Sequence, residues 1–299
     1  MSGTVDLHIH SNRSCDGDFA PAELVRMGKG CRLRAMAIAD HDTVAAYPEA
    51  LDAGRAEGVE VIPNIEFTTV FGRDDREFHL QVPFLDWAGR SVAELAGRVT
   101  AARFREARER VDALRALGFD IAWAEVEAAS DGAAPLGVKI AQVLLDKTAG
   151  QSAPYPPALA SYLSPERRDM GPYFFYRDYF AEGKPAFVPK RHVPLVEVLA
   201  AMPALGGVAV LSHPGAYFQN TTAEDLAELK ERGLAGLEVY SPYHTAEQVA
   251  IYKELARTFD LVATAGSDFH GRIKPNVAFG SLREGDYRMV EELRRRGRG

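Results

Sequence analysis

The sequence predicts an α/β fold built on a parallel sheet or barrel, interrupted by a helical insertion. Three observations carry that expectation. Short apolar runs alternate with helical stretches up to Leu85 and resume near Val208. From Ser91 the rhythm changes to long helical spacing. Side chains of metal-binding type, His8, His10, His213, Asp268 and His270, directly follow the first, fifth and last apolar runs, and so arrive from both ends of the chain. Strand–helix alternation with short links is the pattern of a parallel sheet or barrel. A chain of 299 residues is long enough for one large α/β barrel or for two average domains.

Residues 4–10 read as the first strand. Residues two apart on a strand share a face, so Leu7 and Ile9 can pack while His8 and His10 face a cavity. Asp268 and His270 repeat the arrangement around Phe269. Pro21 suits the first turn of a helix over 21–28. Residues 34–40 form a second strand, and an alanine-rich helix runs to Gly58. Residues 59–68 and 77–85 are the third and fourth strands. The stretch 91–117 reads as an arginine-rich amphipathic helix, with Val92, Leu95, Val99 and Phe104 at helical spacing.

Further helices are expected over 123–129 and 138–146. A loop rich in Pro, Ser and Tyr follows, and then an aromatic stretch over 172–180. Residues 91–185 are therefore read as an inserted helical lid, and 1–90 with 186–299 as the barrel. Residues 186–189 are strand-like. Strands resume at 208–211, 237–240 and 261–264, each separated by a helix. The arginine-rich end, 293–299, reads as a frayed, solvated helix terminus.

An apolar share of 46% is ample for a core, and a net charge of −7 argues against a general nucleic-acid binder. A local basic pocket for a small anion is compatible with that balance. Two cysteines, Cys15 and Cys31, give no disulfide framework and are expected to be reduced thiols. The start lacks a basic-then-apolar signal pattern, and no apolar run approaches the ~18 residues of a membrane span. A cytoplasmic protein without membrane partners is the expectation.

Taken in order, the candidate ligands are His8, His10, Asp16, His41, Glu66, His79, His213, Asp268 and His270. Eight of these nine lie within a strand or at its carboxyl end, and Asp16 lies in the loop after the first strand. In barrel enzymes that end carries the active site, because the connecting loops converge there. Any one histidine is more simply a hydrogen-bonded core or surface residue. Six of the chain's eight histidines grouped with three carboxylates are not. Nine ligands exceed the coordination of one ion and suit two or three divalent ions. Three ions bring six positive charges against three carboxylates, which leaves charge for a bridging hydroxide and an anionic substrate. A phosphate ester fits that surplus better than a neutral amide or sugar.

The runs DLHIHS (6–11), CDGDFAPAELV (15–25), AIADHDTVAAYPEA (37–50), IPNIEFT (62–68), LSHPG (211–215) and GSDFHG (266–271) resemble the PHP superfamily, named for polymerase and histidinol phosphatase. The resemblance implies a distorted (β/α)7 barrel with a site for up to three metals. It is nearest the stand-alone branch that acts on nucleotide monophosphates, 3′,5′-bisphosphates and the 5′ ends of short RNA. By that likeness His8, His10, Glu66 and Asp268 would hold one ion, Glu66, His79 and His213 a second, and Asp16, His41 and His270 a third. Relatives with nucleotidase activity often carry an Arg-Pro-His-Ile-Ala run in the insertion. The matching stretch here is Gly137, Val138, Lys139, Ile140 and Ala141, which makes Lys139 the replacement phosphate contact.

The mechanism expected is attack by a hydroxide bridging two ions, with no covalent intermediate. His41, Glu66 and Asp268 are the catalytic candidates, and His41 or His192 could protonate the leaving oxygen. Lys139, Arg191, His192, Arg272 and Lys274 are the candidate substrate contacts. Asp40 is expected to orient His41, Asp42 with Thr43 to cap the next helix, and His244 to stand at a helix start. Tyr173, Tyr176, Arg177 and Tyr179 either pack or stack on a base.

The leading function is a phosphatase of a small phosphorylated metabolite, most simply a nucleotide, using two or three Mn2+, Fe2+ or Zn2+ ions and forming no stable nucleic-acid complex. A phosphodiesterase or 5′-3′ exonuclease is the alternative, and a non-catalytic scaffold the third reading. Oligomeric state is left open.

Overall fold

The computed structural model describes residues 4–151, 154–216 and 218–297. The strands are β1 (Thr4–Ile9), β2 (Leu33–Ile38), β3 (Glu60–Pro63), β4 (Glu66–Phe71), β5 (Arg76–Gln81), β6 (Val210–Leu211), β7 (Gly236–Tyr240) and β8 (Val262–Ala265). The helices are α1 (Pro21–Gly30), α2 (Tyr47–Glu57), α3 (Arg90–Ala116), α4 (Trp123–Ala129), α5 (Gly137–Ala149), α6 (Pro157–Ala160), α7 (Gly171–Phe175), α8 (Leu195–Leu205), α9 (Ala223–Glu231), α10 (Ala246–Thr258) and α11 (Tyr287–Arg296). Two compact units result: residues up to Val99 together with those from His192 onward, and Thr100–Arg191.

In the first unit β1, β2 and β3 form a parallel sheet, and β4 to β8 form a second sheet in chain order. The pairs β6–β7 and β7–β8 are parallel, but β4–β5 and β5–β6 are antiparallel. The purely parallel expectation is therefore corrected. Only Gly72–Asp75 separates β4 from β5, too short for the crossover that a parallel pair needs. Isolated parallel bridges join Ile9 to Phe269 and His41 to Glu66.

The single strand expected over 59–68 is broken at Asn64 and Ile65. Asn64 Oδ1 accepts from the backbone N–H groups of Ile65 and Val82, both at 2.9 Å. Its Nδ2 donates to Leu7 O at 3.2 Å and to Gln81 Oε1 at 2.9 Å. One buried amide thus takes the place of ladder bonds where the chain leaves one sheet for the other.

Cross-strand register then sorts the side chains. Glu66 lies opposite Gln81 and Thr68 opposite His79, and cross-strand partners share a face. Phe67, Phe78 and Leu80 consequently occupy the other face, where they join the apolar core with Val92, Leu95 and Val99 of α3. On β1 the same alternation buries Val5 and Leu7 in one apolar cluster and Ile9 in another, and leaves His8 and His10 for the polar side.

The second unit has its own core, made by Val111, Leu114, Val126, Ile140, Leu144, Phe175 and Phe180 among others. The aromatic stretch ends in a π-helical turn over Tyr176–Phe180, and Tyr179 stacks on Phe175 with centroids 4.3 Å apart. Tyr176 and Tyr179 pack against this core. No strand forms over 186–189, because Pro185 and Pro189 remove backbone donors there. In the loop after α5, Ser152 and Ala153 lie outside the described residues.

The arginine-rich terminus is also not frayed as far as it is described. Arg294 pairs with Glu60, and Arg296 Nη1 donates to Asp260 Oδ2 at 2.7 Å. Arg298 and Gly299 lie outside the described residues. None of the described helices is long and apolar enough to cross a membrane.

Replacing Asn64 by Leu leaves the buried Ile65 N–H without an acceptor, whereas the Val82 N–H keeps the Ile65 carbonyl at 3.0 Å. Each such group costs about 1–3 kcal/mol. Asn64→Leu should therefore lower stability by about 1–3 kcal/mol, read as a lower urea midpoint at an unchanged slope. A midpoint within error of the parent would refute this account of the strand break.

Candidate metal centre

All nine candidate ligands are buried in the first unit. Their donor atoms form three overlapping groups, each within 4.8 Å: His8, His10, Glu66 and Asp268; His10, Asp16, His41 and His270; and His41, Glu66 and His79. His213 completes the set, with Nε2 3.1 Å from Glu66 Oε1.

Glu66 lies at the middle. Its Oε1 is 3.2 Å from His8 Nε2 and 3.4 Å from His79 Nδ1. Its Oε2 is 3.3 Å from His10 Nε2 and 3.2 Å from His41 Nδ1. The Nε2 atoms of His8 and His10 stand 3.0 Å apart, and both approach Asp268 Oδ1. Despite this crowding, both oxygens of Glu66, Oδ1 of Asp268, Nε2 of His270 and Nδ1 of His10, His41, His79 and His213 have no hydrogen-bond partner. Buried polar atoms are ordinarily paired. Imidazole and carboxylate atoms crowded around shared points in this way fit divalent cations.

Several rings are held with one nitrogen free. His8 Nδ1 meets Glu238 Oε2 at 2.7 Å, which turns Nε2 inward. His270 Nδ1 donates to the Asp268 carbonyl at 2.8 Å and leaves Nε2 beside Asp16 Oδ2 at 3.0 Å. His79 Nε2 reaches Glu77 Oε1 at 3.1 Å, so that Nδ1 faces Glu66. Such outer partners fix the tautomer and the ring orientation of a metal-binding histidine.

Electrostatics favour the ligand form at the carboxylates and at two of the imidazoles. Burial favours a neutral carboxyl at Glu66, but His8, His79 and His41 around it hold it well below its usual range. Asp268 is likewise held low against its burial, by Lys274, His8 and His270, and Asp16 by His270 and His41. Burial depresses His41 and His270 below the ordinary imidazole value. Against their burial, the surrounding carboxylates, Glu66 among them, raise His8, His10 and His79, the last two to about 9. A divalent ion requires neutral imidazoles and would displace those protons on binding.

The other candidates are placed differently. Lys274 pairs with Asp268 Oδ2 and lies 5.2 Å from the Tyr243 ring centre. Arg272 is exposed, with its fork on Asp18 at 3.0 and 3.2 Å. His192 is buried in the first unit. Lys139, half-buried on α5, and Arg191, exposed and 3.6 Å from Glu109, belong to the second unit.

Three expectations about neighbouring residues are corrected. Asp40 accepts from the N–H and hydroxyl of Ser11, both at 2.6 Å, so it ties down the loop after β1 and does not orient His41. Asp42 accepts from the Thr68 N–H at 2.8 Å and has φ 57°; it fastens β4 and caps no helix, since α2 begins only at Tyr47. His244 precedes the true cap, Thr245. Its Nε2 accepts from the Gly215 N–H at 3.0 Å while Nδ1 donates to Val239 O at 2.8 Å.

Glu238 and Gln81 were not anticipated. Gln81 Nε2 donates to Glu238 Oε2 at 2.6 Å, and this pair holds His8. A carboxylate inside the apolar strand Gly-Leu-Glu-Val-Tyr was the available signal, because an unpaired acid is almost never fully buried.

The fold and this centre define a hydrolase of polynuclear-metal type. Residues 6–128 match the model of the PHP domain. Over nearly its whole length the chain is similar to three characterised proteins. A phosphoribosyl 1,2-cyclic phosphate 1,2-diphosphodiesterase of Eggerthella lenta is 29% identical (92% of this chain, 97% of that one). A 5′-3′ exoribonuclease of Haemophilus influenzae is 28% identical (90% and 91%). A 3′,5′-nucleoside bisphosphate phosphatase of Chromobacterium violaceum is 26% identical (89% and 87%). Among solved structures, a Bifidobacterium adolescentis protein, whose assignment as a metal-dependent phosphoesterase is itself inferred, superposes with a TM-score of 0.82 at 27% identity, covering 98% of this chain and 96% of that one. The chain thus resembles PHP-domain proteins and is a metal-dependent phosphoesterase.

Glu238→Gln keeps the shape of the side chain but removes the charge that holds His8 Nδ1–H. Affinity for Mn2+ should fall roughly 10- to 100-fold in a chelator competition, with the circular dichroism spectrum unchanged. Unaltered affinity would reduce Glu238 to a packing residue.

Proposed function

We propose that the chain hydrolyses a phosphate monoester of a small metabolite, a nucleotide or nucleoside bisphosphate, at a site for two or three divalent ions. The observation that supports this most directly is the convergence of partnerless nitrogen and carboxylate atoms around Glu66. The finer architecture we propose is a distorted barrel. If β3 and β4 are counted as one strand broken at Asn64, seven strands remain, and the bridges Ile9–Phe269 and His41–Glu66 lie where the two sheets would close.

When bound, the ions would supply positive charge for the phosphoryl oxygens and a more acidic water as nucleophile. The chain's own residues do the rest. Glu66, with Oε1 beside His8, His79 and His213 and Oε2 beside His10 and His41, is the natural shared ligand. His8, His10 and Asp268 would hold one ion, His79 and His213 a second, and Asp16, His41 and His270 a third. Lys274, beside Asp268, brings a cation to the edge of the centre, where it can meet a phosphoryl oxygen. His192 is proposed as a further contact for the substrate's anionic end. The fork of Arg272 is engaged by Asp18, so that residue serves more simply to hold the loop after His270.

A phosphodiesterase or 5′-3′ exonuclease is the second reading, favoured by the similarity to the two relatives so named. Phosphate release with added Mn2+ separates the two. The substrates are AMP, adenosine 3′,5′-bisphosphate, a cyclic nucleotide and a 5′-phosphorylated trinucleotide. Inorganic phosphate from a monoester is the expected result. Cleavage of only the cyclic or oligonucleotide substrate would overturn the monoesterase reading in favour of the second.

In the same assay Glu66→Ala and Asp268→Ala should abolish turnover and lower bound metal, with folding retained. Undiminished turnover in either variant would sink the site assignment.

A further inference from the structure

The register of β5 against β6 ends one pair short of the metal centre. Leu80 lies opposite Leu211 and Gln81 opposite Val210, so the next pair in line is His79 with Ser212, beside His213. Residues of a bonded antiparallel pair exchange both of their N–H···O bonds. Here Ser212 N donates to His79 O at 3.0 Å. A side chain takes the place of the return bond: His79 N donates to Gln219 Oε1 at 3.1 Å, and Gln219 Nε2 donates to Ser212 O at 2.9 Å. One carboxamide inserted at this point sets the gap between the strands.

Gln219 is fully buried, and its orientation is fixed. A flipped amide would set its oxygen against Ser212 O and its nitrogen against the His79 N–H, so only this orientation satisfies both strands. Nε2 also donates to Thr221 Oγ1 at 3.2 Å. The backbone is held as well. Gln219 N donates to Ala216 O at 2.9 Å, and Arg76 Nη1 donates to Gln219 O at 3.2 Å while Nη2 grips both oxygens of Asp225. The two imidazoles that flank this bridge close on one oxygen. His79 Nδ1 is 3.4 Å and His213 Nε2 3.1 Å from Glu66 Oε1, with ring centroids 5.1 Å apart.

We propose that Gln219 is a positioning residue of the metal centre. Its carboxamide sets the distance between His79 and His213, and so builds the place for the ion that these two share with Glu66. This rests on the metal centre proposed above and adds a residue that is not among its ligands. Without the amide, the Ser212 N bond is what remains of the pair, and the end of β5 and the His213 turn are free to shift apart. His8, His10 and Asp268, like Asp16, His41 and His270, are carried by other elements and keep their places.

The test titrates Mn2+ into the full chain and follows the electron paramagnetic resonance signal of the free ion, which gives the number of bound ions and their affinities without turnover. Gln219→Met, similar in size but without the amide, should weaken one bound ion roughly 10- to 100-fold and leave the others unmoved. Arg76→Met loosens the Gln219 carbonyl from a half-buried position and should weaken the same ion to a lesser degree. Thr221→Val removes only the third bond of the amide, and should lower the urea midpoint with every ion retained at parental affinity. Affinities unchanged in Gln219→Met, or in Arg76→Met should the first not fold, would overturn the positioning role and leave the metal centre standing. A loss spread evenly over all ions would do the same. A parent chain that binds no Mn2+ would overturn the metal centre and this inference with it.

Discussion

The constraint on which the rest of the first unit depends is the burial of Glu66. A carboxylate with no exposed surface is held ionised only because imidazoles approach both of its oxygens. To bring them there, the chain has to deliver side chains from β1, the turn after β2, β5 and the segment after β6. The break at Asn64 makes that possible. It ends the parallel pairing of β3 and starts the antiparallel pairing of β4 with β5, which sets Glu66 and His79 on one face. Backbone bonds from Glu66 to Asp40 and from Asp42 to Glu66 then fix His41 alongside.

The same constraint explains where the backbone departs from ordinary conformations. His213 has φ 21° and Asp268 has φ 52°, a region that non-glycine residues visit rarely. Both are ligand candidates on the turns that leave β6 and β8. Such conformations persist when the surroundings over-determine them, as they do at both residues. Asp268 N donates to His8 O at 2.8 Å, and His213 O accepts from Ala216 N at 2.9 Å. The donor atoms are therefore positioned by main-chain bonds, independently of any ion.

Much of this was legible in the sequence, for a physical reason. A period of two places His8 with His10, and Asp268 with His270, on one face whatever the remainder of the chain does. Helical spacing similarly revealed α3 and α5. What stayed hidden depends on pairing between distant segments. Glu238 touches His8 across 230 residues of sequence, and no local pattern contains that. Asp40 and Asp42 were misassigned because their neighbours in sequence suggested roles, while their actual partners, Ser11 and Thr68, come from other strands. The split between β3 and β4 was hidden similarly, since Asn64 acts through Leu7, Gln81 and Val82.

The composition of the centre also bears on how substrates are told apart. The metal ligands recognise charge, and a phosphoryl group satisfies them whatever it is attached to. Relatives similar to this chain are named for a cyclic sugar phosphate, for RNA ends and for nucleoside bisphosphates, which share only that group. Discrimination must therefore come from side chains outside the buried cluster. Among the half-buried neighbours of the ligands in the first unit are Glu77, Lys274, Phe218 and Tyr243. That division of labour lets the metal ligands stay the same while the surrounding loops set the substrate.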